Sequence, residues 1–468
     1  MFSYLRQGKA FYKNLILLCI PMVLQNLVTT SLAMVDTFMV GMLGETPLAA
    51  VTLANLPIFV IQFVVFGLQS GSAVLISQYW GHEDTDSINR VVGVTAIVAG
   101  GVATIFALAL FFYPTQIMGL LTNDPALRDI AAEYGRIVGF SYIFNGITGV
   151  YVGAHRSMEN PKLGLIIFSI SMLANTGLNW VFIFGKLGAP ALGVVGAAVA
   201  TLLSRIIEFI IMVFHAVFSK KFRLKPALLL HPGKDTWRRF FKYATPVVLN
   251  ETLWGLGTSL YPTIMGHMDG STEILAAYAV AGNIDRFCSV GIFAIAAAAA
   301  IVIGREIGAG RSHKVYDVGK ALLVVSVLMG AVIGGIMLLV THFVVKPFIF
   351  PIYPAFQNNP EAARIAVMML TIVFLFLPSR AFNTTNIVGV LRGGGDVRFT
   401  TAIDVLPLWL IAIPLSAVAG LVAKLGILWV YLAIETENVT KFFLGIWRFR
   451  SRKWIHDVTR TPLQKEKD

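Results

Sequence analysis

Only two cysteines, Cys19 and Cys288, occur in 468 residues. Both lie inside apolar runs with no metal or redox spacing, so they leave the compartment undetermined. Charge is scarce as well: 13% of residues are charged against 56% hydrophobic, and the mean hydropathy is +0.75. That balance excludes an ordinary soluble domain. No P-loop is present, so ATP is excluded as an energy source within this chain, and no metal-ligand or nucleophile–base spacing stands out. A role as an enzyme is not expected, nor is a cofactor. The ten-residue alternation of a membrane β-barrel is also missing.

What the chain does have is long apolar runs, each near the twenty residues that cross about 30 Å of hydrocarbon as helix. Twelve are counted, at 14–42, 49–79, 91–113, 132–154, 163–185, 193–218, 240–266, 275–304, 318–342, 364–391, 401–422 and 426–447. The first is too long for a signal peptide and lacks a small-residue cleavage pattern, so it is read as a mature helix. The expectation is an all-α membrane protein of twelve transmembrane helices.

The net charge of +12 raises the question of nucleic acid, which the placement of the 37 Lys and Arg answers. Twenty-eight fall in the two tails and in alternate loops, whereas the opposite loops hold five: Arg128, Lys186, Lys346, Arg364 and Lys424. The other four, Arg136, Arg205, Arg286 and Arg380, sit within helices, and the 28 include Lys242, Lys320 and Lys441, which lie inside runs and are assigned to the loop or tail that adjoins them. This asymmetry is the positive-inside pattern and predicts both termini in the cytoplasm. The basic character is topological, and no nucleic-acid partner is expected.

The charged segment SKKFRLKPALLLHPGKDTWRRFFK, residues 219–242, reads as a cytoplasmic linker between two halves, 1–225 and 226–468. The halves resemble each other. IPMVLQN and MVGMLG in the first match TPVVLNE and IMGHMDG in the second, pairing Pro21 with Pro246 and Gly41 with Gly266. LAAVTLAN then pairs with LAAYAVAG, Gly81 with Gly308, and VGAHR at 152–156 with VGVLR at 388–392. Six helices per half give both halves the same orientation, related by an axis along the membrane normal. Two such pseudo-symmetric six-helix bundles are typical of secondary transporters.

Charges inside these runs demand explanation, because a carboxylate at mid-depth costs about 2.5–3.5 kcal/mol on insertion scales. Asp36 lies in the outward half of the first run. Gln25, Thr29 and Asp36 recur at intervals of four and seven, which places them on one polar stripe. In the fifth run, ANTGLNWVFIFG presents Asn175 and Asn179 four residues apart on one face, and in the sixth, GVVGAAVAT adds Thr201 among small residues. A carboxylate, two amide oxygens and a hydroxyl form a hard-oxygen set suited to Na⁺, with Asp36, Asn175 and Asn179 as candidate ligands. Alternatively the carboxylate alone carries H⁺. The blander readings are interhelical hydrogen bonding for the asparagines and a back-bond for Thr201. Pro21 should bend the first helix.

The second half carries Glu251, Asp285, Arg286, Arg380 and Asp404. Pairing of Glu251 or Asp285 with Arg286 or Arg380 is one expectation, and a second cation or substrate site is the other. Glu208, Glu435 and Glu437 are read as snorkelling near cytoplasmic helix ends. LRGGGD, at 391–396, looks phosphate-like but is read as a tight turn.

Taken together, VDTFMVGMLG, LAAVTLAN, ANTGLNWVFIFG, GVVGAAVAT and GVLRGGGDVRFT resemble, in order and spacing, the multidrug and toxic compound extrusion (MATE) family, to about residue 450. The resemblance implies a two-lobed antiporter of the cytoplasmic membrane that exports cationic or amphipathic aromatic drugs in exchange for Na⁺ or H⁺. It would act as a monomer in contact with membrane lipids. Carried over by position, the family's aspartate is Asp36, its proline Pro21, and its amide pair Asn175 and Asn179. Asparagine at 179 and Glu251 in the seventh helix point to the NorM-like bacterial branch. A departure follows: the branch's tenth-helix aspartate falls on Ala381, beside Arg380. Two rivals stand beside this reading: a lipid-linked oligosaccharide flippase, for which Arg136, Arg205, Arg286 and Arg380 would supply basic character, and a non-transporting scaffold.

Overall fold

In hydrocarbon every backbone N–H and C=O must be satisfied within its own segment, which leaves helix as the solution for each apolar run. The computed structural model describes residues 7–219, 222–351, 356 and 359–459, and no strand occurs among them. Twelve long helices follow in order. They are α1 (Lys9–Gly41), α2 (Glu45–Gly81), α3 (Thr85–Phe112), α4 (Pro125–Ser157), α5 (Lys162–Phe184), α6 (Gly193–Phe218), α7 (Lys234–Gly266), α8 (Ser271–Gly308), α9 (Ser312–Ile349), α10 (Pro360–Leu391), α11 (Val397–Val422) and α12 (Ile427–Arg450). Each expected run falls on one of them. Ten are long and apolar enough to cross a membrane; the other two, α7 and α12, are interrupted by Asn250 and Glu251 and by Glu435, Glu437 and Lys441.

Local signals account for several ends. Asp84, Asp124 and Asn359 accept hydrogen bonds from the first-turn N–H groups of Ser87, Ala126 and Ala362, which starts α3, α4 and α10. Prolines without an N–H lie at 347, 407 and 414, in or beside wide π-type turns of α9 and α11 at Thr341–Ile349, Leu408–Ala412 and Val418–Val422. α1 stays helical through Pro21.

The chain forms two compact units, Ile20–Val248 and Met1–Cys19 with Leu249–Asp468. The division falls within α1 and α7, because the N-terminal half of α7 packs on α2. A Cβ at Gly67 would lie 2.6 Å from Val248 Cα, and one at Gly71 would lie 2.5 Å from Ala244 Cα. Only glycine admits that approach. Gly71→Val is therefore expected to lower stability by about 1–3 kcal/mol, read as earlier thermal unfolding in detergent.

Each unit has its own core. In the first, Val40, Ala54, Ile58, Val138 and Ala197 are buried together. In the second, Ala281, Met369, Phe374 and Leu377 are. The RGGGD turn lies under the C-terminal segment. Trp454 is fully buried against Gly394, Val458 covers Gly395, and the His456 N–H donates to the Gly394 carbonyl at 2.8 Å. These glycines make room for an indole rather than a phosphate.

Candidate functional site

In the first unit, α1, α5 and α6 bring together residues far apart in sequence. Asn179 Nδ2 donates to Asp36 Oδ1 at 2.5 Å and to Asn175 Oδ1 at 3.0 Å, and Asn175 Nδ2 donates to Ser204 Oγ at 3.4 Å. Both asparagines are 1% exposed. The i,i+4 spacing on α5 puts both amides on the face turned to α1. Asp36 makes no ion pair among the described residues. The nearby arginine, Arg205, is bonded to Glu208 at 2.5 Å. Asn179 Oδ1 is buried without any donor, so beside the Asp36 carboxylate lies a carbonyl oxygen whose lone pairs are unused. A carboxylate beside an unengaged carbonyl fits a hard monovalent cation, or a proton shared between the two oxygens.

The other expected members take separate places. Thr201 lies beside Tyr134, and its carbonyl accepts from Ser204 Oγ at 2.8 Å. Gln25 is buried against Gly164, about 16 Å from Asp36 along the α1 axis. Its Oε1 has no donor. Thr29 is exposed and back-bonds to the Asn26 carbonyl at 3.0 Å. The stripe on α1 thus reaches two separate environments. Ser204 and Tyr134, which the sequence reading missed, are legible only once α4 and α6 are placed beside α1.

In the second unit, Asp285 accepts both Arg380 guanidinium N–H groups, at 3.0 and 2.8 Å, one of the pairings expected. Glu251 does not take Arg286 or Arg380; it pairs with Arg392 at 2.7 Å. Arg392 was counted among loop cations, yet it is 2% exposed, because α-helical geometry continues past Leu391 and carries it inside. The snorkelling reading is likewise corrected. Glu208, Glu435 and Glu437 are buried, held by Arg205, by Asn438 at 2.8 Å, and by Tyr261 at 3.1 Å, respectively. Lys441 Nζ lies 2.7 Å from Asp404 Oδ1 and 3.4 Å from Glu437 Oε1.

The family model MatE matches residues 21–181 and again 246–418, the two starts falling on the paired prolines Pro21 and Pro246. The chain is 23% identical over 447 residues to the probable multidrug resistance protein NorM of Thermotoga maritima, covering 94% of this chain and 93% of that one. It is 26% identical to the multidrug resistance protein NorM of Vibrio vulnificus, covering 87% of each. Among solved structures, an outward-facing multidrug resistance MATE family transporter of the MOP superfamily shares the fold with a TM-score of 0.83 at 19% identity. That match covers 96% of this chain and 97% of the other. Two bundles, twelve long helices and a family match that repeats with the internal duplication leave one assignment: the chain is a multi-pass membrane transporter belonging to the MatE family.

Proposed function

We propose that the chain is a cation-coupled antiporter that exports cationic and amphipathic drug-like compounds, with drug and coupling ion competing for Asp36. The observation that carries this reading is the Asp36–Asn179 contact, with the buried Asn179 Oδ1 left without a donor and, among the described residues, no base paired to the carboxylate. A carboxylate permanently bound to arginine would be neutralised once and for all. One held by an amide keeps its charge for an exchangeable guest. The names of the relatives, multidrug resistance proteins, support the same cargo class.

Exchange follows from charge. A lone carboxylate inside a bundle accepts one positive guest, either Na⁺ or H⁺ or a cationic drug, and binding of one excludes the other. Such coupling is reciprocal, so drug and cation weaken each other's affinity by the same factor. The site sits in the cytoplasmic membrane in this reading, with both termini inside, on the strength of the Lys and Arg asymmetry. The flippase rival needs free arginines for a pyrophosphate, whereas Arg205 and Arg380 are committed to Glu208 and Asp285.

Liposomes containing the purified protein, with Na⁺ and H⁺ gradients imposed separately and a fluorescent cationic dye inside, test the reading. Dye efflux that follows one gradient supports it; efflux indifferent to both ends it. Asn179→Ala removes a hydrogen bond to a charged group, worth about 1.5–3 kcal/mol. It is expected to raise the half-saturating Na⁺ concentration about tenfold or more. An unchanged Na⁺ titration in this variant identifies a proton-only carrier.

A further inference from the structure

We propose that the second unit carries a site for one anionic phospholipid where α9 ends and α10 begins, with Lys346 and Arg364 pairing its phosphodiester and an acyl chain lying against Phe350 and Phe356. A cavity of about 430 Å³ opens there. That volume falls within the range of small-molecule sites, about 300–1,000 Å³. Its wall is apolar, with Phe350, Phe356, Ala363 and Val367 contributing, and among the described residues that line it only Lys346 and Arg364 are charged. Phe350 and Phe356 are each 3% exposed and meet edge to face with ring centroids 4.6 Å apart, so the aromatic part of the wall is fixed by packing.

The placement of the two cations points to the ligand. The loops opposite the basic side hold only five Lys and Arg, and two of the five, Lys346 and Arg364, converge on this one cavity. The positive-inside pattern gives no reason for cations to gather here. Lys346 makes no ion pair among the described residues. Arg364 lies 3.6 Å from Glu361 with both heads exposed, a pair worth little, which yields to a phosphate. Glu273 does not line the cavity and accepts from Asn359 Nδ2 at 3.4 Å. A small inorganic anion would leave the apolar wall wet, and a neutral lipid would leave both cations unanswered. A lipid phosphate satisfies both, because one molecule brings the charge and the hydrocarbon together.

The backbone brings the bilayer to this cavity. From Thr341 to Ile349, α9 winds in wide π-type turns around Pro347, which has no N–H to donate. Phe343, Val344, Phe348 and Ile349 are exposed along this stretch, whereas Val345 is buried in the core of the unit. Exposed apolar side chains carrying one lysine, at the end of a membrane-spanning helix, suit the boundary between hydrocarbon and headgroups. In the topology proposed above that boundary belongs to the outer leaflet, and a lipid there reaches the cavity with its chain and Lys346 with its phosphate.

The test is native mass spectrometry of the purified full chain in detergent, titrated with phosphatidylglycerol or with phosphatidylcholine of the same acyl chains. The first phosphatidylglycerol is expected to bind about tenfold more tightly than the first phosphatidylcholine. Lys346→Gln combined with Arg364→Gln is expected to erase that preference, and both side chains are exposed, so the variant is expected to fold. Arg128→Gln combined with Lys186→Gln removes two cations from loops of the first unit and is expected to leave the preference intact. Ala363→Phe keeps both cations and fills the cavity, and is expected to weaken phosphatidylglycerol binding about tenfold. Equal binding of the two lipids by the wild type overturns the site. So does a preference that survives in Lys346→Gln with Arg364→Gln, or one that falls as far in Arg128→Gln with Lys186→Gln. Unchanged binding in Ala363→Phe, or displacement of the lipid by an equal concentration of inorganic phosphate, overturns the acyl-chain contact. None of these readouts involves Asp36 or dye efflux, so failure here is distinct from failure of the antiport reading.

Discussion

Asp36→Asn is expected to abolish drug-stimulated cation flux while the protein still inserts and folds. The substitution keeps the size of the side chain and an oxygen at the position that accepts from Asn179 Nδ2, so the α1–α5 contact survives. Removing a half-buried charge that has no ionic partner among the described residues also relieves part of a desolvation penalty, so stability is expected to hold or to rise. What is lost is the only negative charge among Asp36, Asn175, Asn179 and Ser204. A neutral site attracts neither Na⁺ nor H⁺ nor a cationic drug, and competition between them ends. The measurement is dye efflux from liposomes under each gradient, alongside thermal unfolding of the same preparation. Normal efflux in a folded Asp36→Asn protein refutes the mechanism.

The second large effect is on stability. Arg392→Gln is expected to cost about 3–5 kcal/mol, the penalty for stranding a buried carboxylate, here Glu251, without its partner. Adding Glu251→Gln to Arg392→Gln should recover most of the loss, since two amides of similar shape strand no charge. Thermal unfolding of the wild type, both single variants and the double variant completes the cycle. Recovery in the double variant assigns Glu251 to holding α7 against the end of α10. A harmless Arg392→Gln would instead mean that Glu251 neutralises itself by carrying a proton.

Much of the architecture was legible because it is decided locally. Every apolar run from 14–42 to 426–447 lies on one helix, and the duplication read from Pro21 and Pro246 reappears in the two family matches. Asn175 and Asn179 were foreseen to share a face, and they do, because i,i+4 neighbours align within any α-helix. The same logic misled for α1, where periodicity put Gln25 and Asp36 on one stripe. Depth along the helix, which periodicity ignores, sends one to Gly164 and the other to Asn179. Glu435 and Glu437 were read from their position in the chain as snorkelling, and a long polar interruption in α12 was the missed signal that they face inward.

By itself, then, the sequence determined the number, order and lengths of the helices, the two-fold duplication and the presence of charges that a bilayer would reject. All of these follow from the transfer of short contiguous stretches into hydrocarbon. Tertiary structure alone decided which acid met which base: Glu251 with Arg392 rather than Arg380, Lys441 with Asp404, and Asp36 with an amide and, among the described residues, no cation. Partners separated by 141 or 143 residues are chosen by which helix faces pack, and an ion pair forms only where that packing sets two heads within about 4 Å.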